Sequence, residues 1–250
     1  MIMKSVVYIE QLGQGIVLIK MEDRENKNTF SDELMLGLKE AFESIKNDIT
    51  CKVVIMTGYD NYFCTGGTKE GLLALNEGKE VFTDKSLYNL PLNCEVPVIA
   101  AMQGHGIGGG FALGLFADSV ILARESIYSA NFMRYGFTPG FGATFILPNK
   151  LGSSLAQEML YSADNYRGAE LERRGVPFPV LPRLEVLDHA YNLAKKIAEK
   201  PRLSLITLKE HFVAPLRIQL NEIIRQELIM HEKTFRQDEV RQNIIKLFGN

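Results

Sequence analysis

The chain has 250 residues, 46% of them hydrophobic, and a formal net charge of −2. This length allows one full hydrophobic core, so we expect one domain, or one domain with a helical appendage. The small net charge and a pI near 6.1 argue against a nucleic-acid-binding surface. Three cysteines without a C-x-x-C pair predict neither a disulfide framework nor a metal site. We find no signal-peptide pattern and no apolar run long enough for a membrane span, and we expect a cytoplasmic protein.

The first third of the chain alternates strand and helix signals. Strand-like runs at residues 6–9 and 16–19 flank a glycine-containing turn and predict a hairpin. Thr29 and Asp32 fit a capping box, which predicts that a helix begins there. The apolar positions that follow have helical spacing: Leu34, Leu38, Ala41, Phe42 and Ile45. Residues 53–56 predict a buried strand, and residues 70–75 and 84–92 predict two short helices.

A glycine-rich turn dominates the middle of the chain. An apolar run at residues 98–102 leads into residues 104–110, and a buried helix is predicted at residues 111–116. Glycines allow close approach of the backbone, and a helix N-terminus presents unpaired N–H donors. The stretch therefore favours binding of an anion, or of an oxygen that becomes anionic during a reaction. A dinucleotide fingerprint, with Glu125 as its ribose-binding acid, and simple tight packing are the alternatives.

The second half predicts further strands and then helices. Strands are expected at residues 119–123, 127–130 and near 179–182, and a turn at 137–142 precedes another helix. One helix has an apolar stripe made of Leu187, Ala190, Leu193, Ala194 and Ile197. A long helix is predicted after Pro215, with one face formed by Leu220, Ile224, Leu228, His231 and Phe235. Residues 236–250 form a tail of mixed charge. The alternation of strands and helices indicates an α/β core.

Another glycine turn lies earlier in the chain, at residues 63–67, and it also precedes a helix. Two N–H donors from separate turns would hold one carbonyl oxygen, the geometry that stabilises a thioester enolate. Several segments together resemble the crotonase (enoyl-CoA hydratase/isomerase) superfamily over nearly the whole chain: residues 62–67, 98–110, 116–118, 136–140 and 194–198.

The resemblance implies a crotonase-like spiral of ββα repeats in residues 1–200 and a C-terminal helical trimerisation region in residues 201–250. It implies an acyl thioester carried on a phosphopantetheine arm and no other cofactor. By position, the N–H groups of Gly67 and Gly109 form the oxyanion hole. Expected partners are an acyl carrier protein (ACP) and copies of the chain itself, as a homotrimer or a dimer of trimers.

The two catalytic glutamates of the hydratases in this superfamily are absent. Ala112 stands three residues after Gly109, and Phe132 stands four residues before Gly136, where those acids are expected. Neither side chain transfers a proton, so both are assigned to an acyl pocket without acids. Hydration of an enoyl thioester is therefore disfavoured, as is isomerisation by these acids.

Further segments are similar to a narrower subgroup, the decarboxylases of polyketide β-branching cassettes: residues 58–63, 104–106, 131–139, 166–168, 174–178 and 230–235. The implied reaction converts 3-methylglutaconyl-ACP to 3-methylcrotonyl-ACP. The subgroup pairs a histidine of the C-terminal helix with a lysine, which assigns His231 as proton donor or substrate orienter. Lys79 is preferred over Lys69 for the lysine. An enoyl-CoA or enoyl-ACP isomerase or hydratase, and a non-catalytic thioester-binding scaffold, are the alternatives.

Overall fold

A computed structural model describes residues 5–80, 87 and 89–249. Ten strands are described: β1 (Val7–Gly13), β2 (Ile16–Met21), β3 (Val53–Thr57), β4 (Tyr62–Cys64), β5 (Val98–Met102), β6 (His105–Ile107), β7 (Ser119–Ala123), β8 (Ile127–Ser129), β9 (Asn165–Arg167) and β10 (Val180–Leu181). They form a six-stranded sheet in the order β1-β2-β3-β5-β7-β10 and a four-stranded sheet in the order β4-β6-β8-β9.

The described helices are α1 (Asp32–Asn47), α2 (Lys69–Asn76), α3 (Leu90–Asn93), α4 (Gly109–Leu115), α5 (Ala143–Leu151), α6 (Ser153–Ser162), α7 (Gly168–Arg173), α8 (Arg183–Ala198), α9 (Arg202–Thr234) and α10 (Asp238–Phe248). A 3₁₀ helix spans Asn131–Tyr135. None of the helices in this described part combines the length and apolarity that crossing a bilayer takes.

The chain winds through the two sheets in ββα turns. After the β1–β2 hairpin, β3, β5 and β7 lie side by side and parallel in the large sheet. Each is followed by a short strand of the small sheet, β4, β6 or β8, and then by a helical segment. The predicted α/β spiral of ββα repeats, with a helical C-terminal region, is confirmed. The boundary at residue 200 stays a prediction.

The parallel strands β2, β3, β5 and β7 of the large sheet are buried on both faces, because their side chains alternate between two apolar clusters. In β3, Val54 and Met56 belong to the cluster that also contains α1 and α4, whereas Val53 and Ile55 face α8. Alternation of this kind follows from the two-residue period of a strand. The short parallel strands are therefore rigid, and the turns that leave their ends are held in place.

Three sequence predictions were wrong in detail. Helix α1 is capped by Ser31, whose Oγ accepts from Leu34 N at 3.2 Å, whereas Thr29 forms a bridge with Gly66. The glycine stretch is interrupted by β6, because that segment pairs with β4 and β8. Helix α9 passes through Pro215 instead of beginning after it. Tertiary packing offsets the lost hydrogen bond there.

The C-terminal region differs from the prediction in two further places. Leu187 is 39% exposed, and the buried stripe of α8 comprises Val186, Ala190, Ala194 and Ala198. Most of the segment predicted as a tail of mixed charge forms α10 (Asp238–Phe248), which packs against α2 and the 3₁₀ helix and buries Val240 and Ile244. Of the helix predicted at residues 84–92, residues 84–86 and 88 lie outside the described residues, and the described end belongs to α3.

Candidate active site

The first glycine turn, at residues 65–67, is held by the loop that precedes α1. Phe30 N donates to Gly66 O at 2.7 Å, and Thr65 N donates to Asn28 O at 3.1 Å. The buried side-chain amide of Asn28 donates to Met21 O and Phe63 O, which ties this loop to the strands on both sides. Gly66 has a φ of +82°, a backbone conformation that favours glycine. The turn is therefore fixed from both sides.

The second glycine turn lies between β6 and α4 and touches the first. Gly108, with a φ of +54°, donates its N–H to Ser129 O at 2.7 Å. A Cβ on Gly110 would lie 2.1 Å from Cys64 O. A Cβ on Gly66 would lie 3.4 Å from the N atom of Gly109, so the backbones of the two turns are in contact. This contact explains the small residues in both stretches.

The dinucleotide alternative is not supported by this geometry. The fingerprint needs a loop that runs directly from a strand into a helix. Here the glycines are interrupted by β6, a strand of the small sheet. Glu125, the candidate ribose ligand, accepts from the N–H of Arg183 at 3.0 Å.

Both turns open onto one cavity of about 360 Å³. Gly67 and Gly109 line it, and neither backbone N–H has an acceptor among residues 5–80, 87 and 89–249. The other lining groups are mostly apolar and include Phe30, Met35, Leu72, Leu75, Phe132, Tyr135, Phe137, Phe141 and Phe248. Paired N–H donors in an apolar cavity stabilise an oxygen that gains negative charge far more than the same donors do in water.

The two positions that carry catalytic acids in a hydratase hold apolar side chains in apolar surroundings. The ring of Phe132 lines the cavity. Ala112 is fully buried in α4, one turn from Gly109, and is not among the described lining residues. The expectation of a cavity without acids needs one correction, because the partly exposed Glu80 contributes to its lining.

His231 lies behind the aromatic wall of the cavity. Its ring meets Phe137 edge-on, with centroids 6.4 Å apart, and Phe137 lines the cavity. Its Nε2 is 2.9 Å from Thr138 O. Because a carbonyl oxygen only accepts, Nε2 carries the proton in this contact. A Cβ on Gly140 would lie 2.3 Å from His231 Cε1, so a glycine at this position makes room for the imidazole.

The environment of His231 favours its neutral form. Burial lowers the pKa of the imidazole below 6.5, and hydrogen bonds with the Thr138 and Pro139 backbone oppose this shift. At neutral pH the side chain is therefore a neutral N–H donor.

Glu227 is a buried carboxylate that the sequence interpretation missed. It lies one helical turn before His231 and is only 2% exposed. It accepts from Gly142 N at 2.8 Å, Thr144 N at 3.0 Å and Thr144 Oγ1 at 2.6 Å, at the start of α5. Burial raises its pKa, and these hydrogen bonds oppose the shift. The sequence carries a signal for this residue, because Glu227 is an acid four positions before His231, on a helix face that is otherwise apolar.

The two candidate lysines are not brought to the described lining of the cavity. The Lys79 side chain is 72% exposed, and its Nζ pairs with Glu77 at 2.6 Å. Lys69 Nζ donates to Gly249 O at 2.6 Å, after the end of α10. The structure thus brings together Gly67, Gly109 and Phe132, with His231 one side chain away.

Phe248 is a second residue that the sequence interpretation missed, and it lines the cavity. It stands at the end of α10, in a segment that composition alone marks as a charged tail. The signal was the spacing of Val240, Ile244 and Phe248, which lie on one helix face.

Comparison with known proteins agrees with this architecture. The enoyl-CoA hydratase/isomerase family model matches residues 11–248. Bacillaene synthase decarboxylase PksI of Bacillus subtilis (strain 168) is 63% identical over 246 residues, which cover 98% of this chain and 99% of that protein.

Two solved structures are similar along their whole length. One, of a dehydratase/decarboxylase enzyme couple involved in polyketide beta-branching, has a TM-score of 0.97 and 63% identity, over 98% of this chain and 100% of the other. The ECH2 decarboxylase domain of CurF from Lyngbya majuscula has a TM-score of 0.94 and 48% identity, over 98% and 100%. With the family model matching almost the entire chain and two linked glycine turns on one cavity, the chain belongs to the enoyl-CoA hydratase/isomerase family, the crotonase superfamily.

Proposed function

We propose that the chain is an acyl-ACP decarboxylase of polyketide β-branching, which converts 3-methylglutaconyl-ACP to 3-methylcrotonyl-ACP. The observation that carries the proposal is a pair of N–H donors, from Gly67 and Gly109, on a cavity that Phe132 lines at one of the two positions of the hydratase acids. The other position is Ala112, which is buried in α4. Identity of 63% to a decarboxylase over 98% of the chain supports it. A dehydratase would supply the substrate, after an HMG-synthase has added the branch.

The reaction follows from where charge develops. The bond between the carboxylate carbon and C4 breaks, and CO₂ leaves. The electron pair moves through the C2–C3 double bond to the thioester oxygen, forming a dienolate that the Gly67 and Gly109 N–H groups stabilise. A proton added at C4 then forms the second methyl group. Apolar surroundings such as Phe132 favour the release of neutral CO₂ over retention of the carboxylate.

His231 is our candidate for the proton donor or substrate orienter. In the structure its Nε2 is held on Thr138 O and the ring of Phe137 lies between the imidazole and the cavity, so direct proton donation requires a side-chain movement. Lys79, with Lys69 as the alternative, is proposed to steer the substrate carboxylate. Alanine variants of the two lysines, made separately, distinguish them.

The test is mass spectrometry of ACP loaded with the 3-methylglutaconyl group. Loss of CO₂ supports decarboxylation, whereas a water adduct supports a hydratase and an unchanged mass supports a thioester-binding scaffold. In D₂O, the new methyl group should carry one deuterium. His231→Ala should slow turnover by about 10²-fold if it donates the proton. His211→Ala is the matched control, because His211 is exposed on the same helix.

We further propose an ACP as partner, a cytoplasmic location, and assembly as a homotrimer or a dimer of trimers. Buried, unpaired Cys51, Cys64 and Cys94 are compatible with a reducing compartment. Exposed apolar side chains on α9 support assembly: Leu203, Leu208, Phe212 and Ile218. Light scattering of the purified protein measures the oligomer directly, and a monomeric mass would reject assembly.

A further inference from the structure

Polar contacts link helix α10 to two elements that line the cavity, α2 and the 3₁₀ helix. On one side, Arg241 pairs with Glu77 of the α2 C-cap at 3.6 Å, and Lys69 of α2 bonds Gly249 O. On the other side, Asn243 Nδ2 donates to Tyr135 O at 3.3 Å, in the 3₁₀ helix. The helix therefore bridges the element that follows the first glycine turn and the 3₁₀ helix.

Burial and a fourth polar contact strengthen these links. Val240 and Ile244 are buried against the two elements. Asn76 Nδ2 donates to Phe235 O at 2.6 Å, just before α10 begins. Together the contacts hold the position of the last residue of the helix, Phe248.

Phe248, which is 38% exposed, extends an aromatic wall that lines the cavity. Its ring stacks on Tyr135 with centroids 5.7 Å apart, and Tyr135 stacks on Phe137 at 5.8 Å. All three rings line the cavity, and Phe132 meets Phe137 edge-on at 6.3 Å. The wall thus continues from the pocket position Phe132 to the C-terminal helix.

This wall begins beside the oxyanion glycines. A Cβ on Gly108 would lie 2.9 Å from Asn131 Oδ1, so the 3₁₀ helix starts at the second glycine turn. The lining residues Asn26 and Lys27, in contrast, are exposed and polar. A polar phosphopantetheine arm fits the exposed polar side, and a hydrocarbon substituent fits the aromatic side.

We propose that Phe248 is a specificity-determining residue, which limits the size of the substituent at C3 of the acyl group. The inference rests on the proposed function for the identity of the acyl group. A wall of stacked aromatic rings discriminates against added methylene groups because each must displace a ring that packs on its neighbour. One methylene group in a hydrophobic pocket changes kcat/KM by about tenfold or more.

The experiment compares 3-methylglutaconyl pantetheine with a homologue in which butyl replaces the methyl group. Phe248→Ala should raise the butyl-to-methyl ratio of kcat/KM by about tenfold or more, because it removes the ring. Phe248→Trp should lower the same ratio. Leu247→Ala is the control, since this neighbour is 45% exposed and not among the described lining residues.

Opposite shifts in the alanine and tryptophan variants support the inference, because general loosening of α10 would move both in the same direction. Ratios equal to that of the unmodified protein, or shifted in one direction in both variants, overturn it. Thermal melting followed by circular dichroism reports whether each variant is folded.

Binding separates this inference from the proposed function. Calorimetry with 3-methylcrotonyl pantetheine and its butyl homologue measures the size limit without any chemistry. If the protein binds the thioesters but releases no CO₂, the proposed function fails. The size limit is still tested, because the ratio of the affinities for the butyl and methyl thioesters can be measured in each Phe248 variant. An unchanged binding ratio in both variants overturns the role of Phe248.

Discussion

Replacing Glu227 by alanine should lower the free energy of unfolding by about 2–4 kcal/mol. The buried N–H of Gly142 loses an acceptor at 2.8 Å, which costs about 1–3 kcal/mol. The part-buried N–H and hydroxyl of Thr144 turn to water, so each lost bond there costs about 0.5–1.5 kcal/mol. Removing a carboxylate whose pKa is raised by burial offsets part of this sum.

Urea unfolding at pH 7.5 and one protein concentration measures the effect. With a slope of about 3 kcal/mol/M, the midpoint should fall by about 1 M. Glu232→Ala is the matched control, because Glu232 is an exposed carboxylate on the same helix. Its effect should stay within about 0.5 kcal/mol.

Glu227→Gln tests the same reasoning with nearly unchanged volume. The amide keeps one acceptor oxygen and turns an NH₂ group toward a backbone donor, so it should also destabilise the fold. If Glu227→Ala and Glu232→Ala unfold at the same urea concentration, the carboxylate does not anchor the start of α5 and the reasoning is refuted.

Three further outcomes are expected from the structure. Burial lowers the pKa of His231 in the folded state, so the unfolded state binds the proton more readily. The free energy of unfolding should therefore fall as the pH drops through 6.5. In a plot of the urea midpoint against pH, His231→Phe should flatten this part of the curve. Lys209→Met should lower the free energy of unfolding by about 1–3 kcal/mol in urea, because it leaves two buried carbonyl oxygens, those of Pro91 and Val96, without their donor. Lys196→Met, at an exposed site, should change little. Gly110→Ala should prevent recovery of folded protein, since its Cβ would overlap Cys64 O; normal yield and melting temperature would contradict the contact between the two turns.

Local patterns were sufficient to predict most of the individual strands and helices of the core. The strand predicted at residues 119–123 is β7, and the predicted apolar face of α1 is buried at all five positions. These predictions succeed because the spacing of apolar residues along a strand or helix shows which of its faces is buried. The glycine turns were equally visible, since few other residues permit such close backbone contact.

Long-range packing decided the rest. Helix α9 continues through Pro215 because buried residues on both sides, among them Val213 and Leu220, anchor it to the body of the protein. Ser31 caps α1 because Asp23, eight residues away, accepts from its hydroxyl at 2.6 Å and orients it. No local pattern reports partners at such distances along the chain.

Local sequence patterns were enough to predict an α/β core and the two glycine turns, because each is a property of neighbouring residues. The ββα spiral, and the meaning of apolar residues at Ala112 and Phe132, followed from the resemblance to the crotonase superfamily. Only the tertiary structure decided that the two turns touch, that His231 lies behind Phe137, and that Phe248 reaches the cavity from the far end of the chain. These relations join residues remote in sequence, and they arise only when packing of the whole core places the separate elements side by side.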